Sequence, residues 1–457
     1  GGIIKNTIAE SDGTFVIKLK SLSASKKPRT IYIKSGNDEI EIKNVVVGEV
    51  WLCSGQSNME WKVNQSANYE VEKKSANYPL IRMITVKHKF DTEPQFNFQG
   101  NWRSTTPESV GSFSAVGYYF GRELFTELNV PIGLISSSWG GTPIHSWTPM
   151  RTLEKFPDVI AYRDLKIKQG KKITVEKLEK ENQIIIEKWK EAKERSKITG
   201  EKVRQWPRLK RHPVQSQDFH ANLYNGMIHP LIPYTLRGTI WYQGEANAGS
   251  HKEAKLYRKM LENLTQSWRE DWNDTFSFYA VQLVNFMAPV KSPIQDSGWA
   301  HIRQSFLDYH KDVEKAGIAV GIDVGDASDI HPKDKQTIGY RLAQQALVHD
   351  YKFDRVPGGP IYQTMKVKDD QAILYFSDTG SGLVSKDGEV LNWFAIAGED
   401  RIFKKADAKI MDNVVVVSHP EINEPKAIRY AWANNPEGCN LYNKEGFPAS
   451  PFRTDNW

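Results

Sequence analysis

The sequence predicts an α/β protein built on a doubly wound, five-stranded parallel sheet, with β-rich segments at both ends. Two observations predict this class. Between residues 46 and 350, short apolar runs alternate with stretches of helical periodicity, and strands separated by helices pair in parallel through right-handed crossovers. Towards both ends of the chain the pattern changes to short strands between turn residues.

Five apolar runs are the predicted strands of the sheet. They are residues 46–53, 132–136, 236–241, 276–283 and 317–322. The helices between them are predicted where apolar residues recur at intervals of three or four. These stretches are residues 116–128, 257–268, 302–310 and 338–346.

The same patterns divide the chain into three parts. Residues 1–45 are predicted to be an N-terminal β segment, a truncated β domain, with strands at 14–19 and 30–34. Residues 46–350 are predicted to form the main α/β domain. Residues 351–457 are predicted to be a β-rich C-terminal region that wraps back on the core, with the aromatic tail at 431–457 as an ordered surface wrap.

A helical insertion interrupts the α/β alternation at about residues 150–215. Its centre, residues 174–197, is predicted to be a charged helix with a single apolar stripe. In an open α/β sheet, ligands bind in a crevice at the carboxyl ends of the strands. The charged helix is either a lid or rim over that crevice or a surface arm, and the sequence leaves both interpretations open.

Composition excludes several classes of protein. Of the 457 residues, 39% are hydrophobic and 25% charged, and no run reaches the roughly 18–20 apolar residues of a membrane span. The net charge of +6 is modest, and the lysines of the insertion alternate with glutamates, which is typical of a solvated helix and not of a nucleic-acid interface. Two cysteines, Cys53 and Cys439, are too few for a disulfide framework and lack metal spacing.

Four polar turns follow predicted strands, and parallel strands bring such turns to one edge of the sheet. A serine, glycine N–H groups, a side-chain amide and a histidine would converge there, which is the set that acyl transfer needs. The turns are Gly55-Gln56-Ser57-Asn58, Trp139-Gly140-Gly141-Thr142, Gln243-Gly244-Glu245-Ala246-Asn247 and Asp326-Ala327-Ser328-Asp329-Ile330-His331-Pro332.

Each member of this set has a catalytic and a structural interpretation. Ser57 is a candidate nucleophile on a strand–turn junction, or a helix N-cap. His331 is the candidate general base, or a histidine at the start of a helix. Asp329 is the candidate that orients its imidazole, provided that the loop curls, and Asp326 and Asp323 compete for that role.

The remaining candidates would stabilise the oxyanion or contact the substrate. Gly140 and Gly141 can bring a backbone N–H close to a carbonyl because they lack Cβ, or they form a tight structural turn. The Gln243 amide is a further donor. Glu245 and Asn247 are candidates for substrate contact, and Glu245 as a second carboxylate keeps a glycosidase alternative open.

Taken together, these motifs resemble the sialate O-acetylesterase family, within the wider SGNH-type serine esterases. The resemblance extends in order over most of the chain. Its motifs are Gly-Gln-Ser-Asn-Met-Glu at 55–60, Trp-Gly-Gly-Thr at 139–142, Leu-Tyr-Asn-Gly-Met-Ile at 223–228, Trp-Tyr-Gln-Gly-Glu at 241–245, Asp-Ile-His-Pro at 329–332, and the tail segments at 429–436 and 449–455.

The resemblance implies an SGNH core that hydrolyses O-acetyl esters of carbohydrates, sialic acid or xylan-type glycans, without metal or other cofactor. Carried over by position, Ser57 is the nucleophile, His331 the base and Asp329 the orienting acid. The oxyanion donors would be the N–H of Ser57, a glycine N–H at 140 or 141, and Gln243. The family also implies secretion or a periplasmic location, although no signal peptide is visible here, as in a trimmed chain.

One position departs from the family's usual pattern, and two alternatives to an esterase stay open. The usual SGNH pattern places the acid three residues before the histidine, where this chain has Ser328. The alternatives to an esterase are a non-catalytic carbohydrate-binding protein and, on Glu245 with another carboxylate, a glycosidase.

Overall fold

The chain begins with an extended segment and a β-hairpin. The computed structural model describes residues 2–203 and 207–457. Strand β1 (Ser25–Ser35) pairs antiparallel with β2 (Asp38–Val47), in agreement with the strand predicted at 30–34. The strand predicted at 14–19 is wrong. Those residues are exposed and form no strand, because an alternating pattern gains little unless its apolar face is covered.

A seven-stranded sheet forms the centre of the protein. Its strands are β3 (Glu49–Gly55), β4 (Tyr78–Thr85), β5 (Arg103–Thr105), β6 (Ile132–Ser138), β7 (Gly238–Tyr242), β8 (Ser277–Gln282) and β9 (Ala316–Val320). They lie in the order β5-β4-β6-β3-β7-β8-β9. All neighbours are parallel except the edge pair β4 and β5. The predicted α/β class is confirmed.

The sheet has two strands more than the five predicted. The additional strands, β4 and β5, lie at one edge. β4 carries a proline and an arginine among its apolar residues, and β5 has only three residues. Neither segment shows the uninterrupted apolar run that marks a central strand of a parallel sheet.

Helices cover both faces of the sheet. They are α1 (Ser57–Glu60), α2 (Tyr69–Ser75), α3 (Ala115–Leu128), α4 (Met150–Leu153), α5 (Pro157–Gly170), α6 (Val175–Thr199), α7 (His251–Trp272), α8 (Gly298–Asp312) and α9 (Lys335–His349). Along β3, Trp51 and Cys53 pack in a cluster with α3 and α9, while Leu52 packs with α7 and α8. Successive residues of a strand face opposite sides, so the sheet is doubly wound, as predicted.

The short helical turns join these elements. The 3₁₀ turns are Val63–Gln65, Val110–Ser112, Ile144–Ser146, His229–Leu231 and Glu245–Asn247, and a π-helical turn covers Tyr224–Ile228. None of the helices in residues 2–203 and 207–457 combines the length and the hydropathy that a membrane span requires.

The insertion contains the charged helix that the sequence predicts. Helix α6 begins after the N-cap Thr174, whose side chain accepts the N–H of Lys177, and ends at Gly200 in the left-handed conformation. No residue of α6 is buried. Residues 204–206 of the predicted insertion lie outside the described part of the chain.

The C-terminal region is β-rich, as predicted. Its strands are β10 (Ile361–Lys368), β11 (Gln371–Ser377), β12 (Leu383–Ser385), β13 (Phe394–Ala397), β14 (Lys404–Lys405), β15 (Asp407–Met411), β16 (Val414–Ser418), β17 (Ala427–Tyr430), β18 (Leu441–Asn443) and β19 (Phe452–Arg453). They form two four-stranded sheets and one pair, β10-β11-β16-β15, β14-β13-β17-β19 and β12-β18.

The sequence predicts that the tail is a surface wrap. In the structure it is instead part of the core. Trp432, Tyr442 and Phe452 are all buried. Arg303 is a fully buried residue of α8. Its guanidinium donates to the carbonyls of Leu283 and Val284 in the α/β domain and to those of residues 433 and 434 in the tail. The tail therefore satisfies a buried cation of the central domain.

Candidate active site

Ser57 and His331 meet at the carboxyl edge of the sheet. Ser57 Oγ lies 2.9 Å from His331 Nε2. Ser57 begins α1 just beyond β3, and the turn requires Gly55 (φ +138°), since a Cβ there would lie 2.2 Å from the carbonyl oxygen of Tyr242. The structure thus brings together the two side chains that the sequence predicts to converge.

Asp329 is the carboxylate that contacts the imidazole. Its Oδ1 lies 3.4 Å from His331 Nδ1 and accepts the backbone N–H of His331 at 2.9 Å. The loop curls because Asp326 Oδ1 accepts the N–H groups of Ser328 and Asp329. Asp326 is thus engaged in its own turn.

Asp323, the other competitor, is engaged elsewhere. Its carboxylate binds Arg341 through two hydrogen bonds of 2.6 and 2.9 Å and accepts the hydroxyl of Tyr442. Arg341 holds the pKa of Asp323 below its usual value against the effect of burial. Neither competitor is placed to orient His331.

The environment of His331 favours the neutral imidazole. Its ring stacks on Trp61, with centroids 4.9 Å apart. Burial lowers the pKa of His331 below its ordinary value, the charge of Lys335 lowers it further, and Asp329 opposes both. A neutral imidazole with Nδ1 towards a carboxylate can accept a proton at Nε2, where the serine hydroxyl lies.

A buried polar network lies behind the pair. Lys335 Nζ donates to Asn58 Oδ1 at 2.5 Å, and Asn58 Nδ2 donates to Glu245 Oε1 at 2.6 Å and to the carbonyl of Ile330 at 3.0 Å. Asn58 and Lys335 are fully buried. The network therefore connects the residue after Ser57, the turn after β7 and the loop that carries His331.

Burial shifts the ionisation of both charged members. It lowers the pKa of Lys335 to about 7, against the attraction of Glu245. It also raises the pKa of Glu245, whose Oε2 is enclosed and has no hydrogen-bond partner among the described residues. Asn58 thus engages one oxygen of this carboxylate, and the contact of Glu245 with a substrate stays a prediction.

Gln243 belongs to the framework of the site. Its Nε2 donates to Asn247 Oδ1, Thr142 O and Gln56 Oε1 at 2.9, 3.1 and 3.2 Å, and its Oε1 accepts the hydroxyl of Tyr257. The residue is fully buried. Both N–H bonds of the amide are used within the protein in this arrangement, and its role as an oxyanion donor stays a prediction.

The Gly140–Gly141 turn lies against Ser57. A Cβ on Gly140 would lie 3.1 Å from that of Ser57. The N–H of Gly140 donates to Glu60 Oε2 at 2.8 Å, and Glu60 Oε1 lies 3.1 Å from His88 Nε2. Although burial opposes it, hydrogen bonding and attraction from His88 lower the pKa of Glu60.

The neighbouring glycine differs in two respects. Gly141 has the left-handed φ of +71° that favours glycine. Its N–H has no hydrogen-bond partner among the described residues. Beside the turn, the ring of His88 stacks on Trp139 with centroids 4.1 Å apart.

A cavity of about 450 Å³ adjoins the site at Gly141 and Asn247. The insertion forms much of its wall through Tyr162 and Arg211. Its charges include two pairs, Arg211 with Asp218 at 2.6 Å and Lys252 with Asp158 at 2.9 Å. Ser57 and His331 do not line it, so the cavity lies beside the pair.

Four contributors to the site were not singled out from the sequence: Asn58, Glu60, His88 and Lys335. Asn58 and Glu60 lie inside the quoted motif around Ser57. The only signal for Lys335 was its position four residues after His331, because a lysine in the first turn of a helix is ordinarily on the surface.

A sequence model of the family described as carbohydrate esterase, sialic acid-specific acetylesterase, matches residues 47–176 and 196–347. Curated relatives include the sialate O-acetylesterases of Rattus norvegicus (29% identical, 92% of this chain, 80% of the relative) and Homo sapiens (27%, 91% and 76%). A crystal structure of a carbohydrate acetylesterase from Xanthomonas citri aligns with a TM-score of 0.80 at 31% identity, covering 98% of this chain and 90% of that one.

Proposed function

This chain belongs to the carbohydrate esterase family of sialic acid-specific acetylesterases, and from that premise we propose that it cleaves O-acetyl esters with Ser57 as nucleophile. The enzyme is a carboxylic ester hydrolase that removes O-acetyl groups from carbohydrates. The observation that carries the serine mechanism is the 2.9 Å separation of Ser57 Oγ from His331 Nε2.

In the first half-reaction, His331 Nε2 accepts the hydroxyl proton while Ser57 Oγ attacks the acetyl carbonyl carbon. The tetrahedral intermediate collapses as the ester bond to the sugar breaks, and the imidazolium gives its proton to the departing sugar oxygen. Asp329 stabilises the imidazolium across the 3.4 Å to Nδ1. In the second half-reaction, His331 deprotonates a water molecule, which attacks the acetyl carbon. The bond to Ser57 Oγ then breaks, the imidazolium returns its proton to that oxygen, and acetate leaves.

Backbone groups of two turns stabilise the oxyanion. The N–H of Ser57 lies in the first turn of α1, where a helix leaves its N–H groups unpaired. The second donor comes from the Gly140–Gly141 turn. The N–H of Gly141, which has no hydrogen-bond partner within the described part of the chain, serves this role, whereas the N–H of Gly140 serves only when an oxyanion displaces the carboxylate of Glu60.

The sugar occupies the cavity beside Gly141, and acetylated sialic acid and acetylated xylan-type glycans are the substrate candidates. The aromatic ring of Tyr162 and the charge pairs in the wall suit a polyhydroxylated ligand. Residues 46–350 are the catalytic domain, flanked by the β segments at 1–45 and 351–457. We place the enzyme in the periplasm or outside the cell as a secreted protein, in line with the family.

Replacement of the nucleophile tests this mechanism. Ser57→Ala is expected to lower kcat by about 10⁶-fold, as loss of the serine does in other serine hydrolases. The measurement is acetate release from an aryl acetate and from acetylated sialosides, xylo-oligosaccharides and mannans.

Ser54→Ala is the matched control. Ser54 lies in β3, and its buried Oγ has no hydrogen-bond partner among the described residues, so its loss is expected to leave activity unchanged. Burst release of acetate by Ser57→Ala would refute the assignment. The ranking of the glycans in the panel decides between the substrate candidates.

A further inference from the structure

Three potential metal ligands converge on the side of the protein that holds the tail. They are His251 at the start of α7, Asp296 just before α8 and His301 in the first turn of α8. His251 Nδ1 lies 3.5 Å from Asp296 Oδ2, and His301 Nε2 lies 2.9 Å from Asp296 Oδ1. All three ligand atoms lie within 4.8 Å of one another.

The innermost ligand atom has no hydrogen bond to satisfy it. His301 is 4% exposed, and its Nε2 has no hydrogen-bond partner within residues 2–203 and 207–457. The nearby carboxylate oxygen of Asp296 is close enough, but the two atoms are not aligned for a hydrogen bond. A buried polar atom without a partner is costly, and a cation between the three groups would remove that cost.

The separations agree with a tetrahedral transition-metal site. Zinc binds histidine nitrogen and carboxylate oxygen at about 2.0–2.2 Å, which places tetrahedral ligand atoms about 3.3 Å apart. The two separations from the Asp296 carboxylate, 2.9 Å from Oδ1 to His301 Nε2 and 3.5 Å from Oδ2 to His251 Nδ1, lie on either side of that value. Two imidazoles and one carboxylate suit Zn²⁺ and its neighbours, whereas Ca²⁺ and Mg²⁺ prefer oxygen ligands alone.

The surroundings fit this role. The ring of His301 is buried beside Trp432, with centroids 5.1 Å apart. The indole N–H of Trp432 donates to Asp296 Oδ1 at 3.4 Å and helps to orient the carboxylate. Half of the His251 side chain is exposed, which leaves the site open to an entering ion and a water ligand.

The neighbouring cations do not occupy the site. Arg429 and Arg453 face Trp432 and both pair with the buried carboxylate of Asp455. Lys255 is exposed on the next turn of α7. Because Arg429 and Arg453 pair with Asp455 and Lys255 is exposed, the carboxylate of Asp296 can serve as the anionic ligand of a metal ion.

We propose that His251 Nδ1, Asp296 and His301 Nε2 bind one divalent transition-metal ion of the Zn²⁺ class, with water completing its coordination. The ion joins the starts of α7 and α8 and, through Trp432, the C-terminal tail. It stabilises this junction and takes no part in ester hydrolysis, for which the Ser57–His331 pair needs no metal. The proposal does not depend on the proposed function.

Zinc titration of the chelator-treated full-length enzyme tests the site. Isothermal calorimetry with ZnCl₂ is expected to show one strong site, and the Tm is expected to rise with zinc. His251→Ala is expected to weaken binding by more than about 100-fold, since even loss of an orienting partner costs 10–100-fold. Because His251 is half exposed, this variant should fold normally.

His419→Ala, a turn histidine outside the cluster, is the matched control and is expected to bind zinc like the unmodified enzyme. Asp296→Asn, which retains an oxygen for Trp432, is expected to lose the zinc-dependent rise in Tm. Co²⁺ is expected to give the visible absorption of a tetrahedral site, and Mg²⁺ no effect. Absence of a strong site, or unchanged zinc affinity in His251→Ala, would overturn the proposal.

Discussion

The two sides of the Ser57–His331 pair differ in how much water reaches their charges. On the inner side, Asn58 and Lys335 are fully buried and connected by hydrogen bonds to Glu245. On the outer side, the carboxylates are more accessible: the side chain of Asp329 is 42% exposed. Each side presents a charged group to the imidazole of His331. Lys335 lowers the pKa of His331, whereas Asp329 raises it.

This difference indicates which groups matter most. Charges exposed to water are screened and contribute little, whereas a buried charge that loses its partner is strongly destabilising. We therefore expect the inner network to hold the geometry of the site and the outer carboxylates to adjust it. The following predictions test that contrast, in order of decreasing effect.

Lys335→Met has the largest expected effect. It leaves Asn58 Oδ1 without its buried donor and removes the positive charge that attracts the carboxylate of Glu245, so the free energy of unfolding should fall by about 3 kcal/mol. The loss should also displace the turn after β7 and the loop that carries His331, which should lower kcat/KM by about 100-fold. Urea denaturation and acetate release measure the two quantities.

The pH profile of this variant separates a local effect from general damage. Hydrolysis needs neutral His331, so activity falls as pH drops through its pKa. Removing the charge of Lys335 raises that pKa, and the acidic limb of kcat/KM should move to higher pH. Lys333→Met, an exposed lysine of the same loop, is the control and should change stability by less than about 0.5 kcal/mol. Equal behaviour of the two variants would abolish the distinction between buried and exposed charge.

Asp329→Asn has an intermediate expected effect. The amide oxygen still accepts the N–H of His331, but the charge that favours the imidazolium is lost. Because that charge is partly exposed, kcat should fall by about tenfold, compared with about 10⁴-fold for a buried orienting aspartate. The pKa of His331 falls, so the acidic limb should move to lower pH, opposite to the shift in Lys335→Met.

The magnitude decides the interpretation of Asp329. A loss near 10⁴-fold in the pH-independent region would mean that this carboxylate acts like a buried one. Asp326→Asn is a useful control, since its oxygen can still accept the N–H groups of the turn, and it should retain most of the activity.

Glu60→Gln has the smallest expected effect. The amide oxygen can still accept the N–H of Gly140, and only the charge facing His88 is removed. Since both side chains are partly exposed, the free energy of unfolding should change by less than about 1 kcal/mol. Activity should stay within about threefold, measured by acetate release. A large loss of activity at unchanged Tm would instead place the charge of Glu60 in the chemistry.

Much of the framework of the site was predictable from the sequence. The apolar runs before Ser57 and His331 are strands of one parallel sheet, and the ends of such strands meet at one edge. That argument requires only local patterns. It therefore holds although the strands β4 and β5 were not predicted. The helices α3, α7, α8 and α9 were predicted for the same reason, since apolar residues recur in each at intervals of three or four.

The partner of each polar group was not predictable. Three aspartates precede His331, and only the curl of the loop and the position of Arg341 decide that Asp329 contacts it. Gln243 looked like a free amide until Thr142 and Asn247 were placed around it.

Local sequence patterns were enough to predict the class of fold, the sheet edge at which the candidate nucleophile and base meet, and the family. The tertiary structure alone decided that Lys335 is buried, that the tail completes the core, and that His251, Asp296 and His301 converge. The physical reason is that periodicity is a property of neighbouring residues. Burial, ion pairing and ligand geometry arise between segments far apart in the chain, and they appear only once those segments are packed.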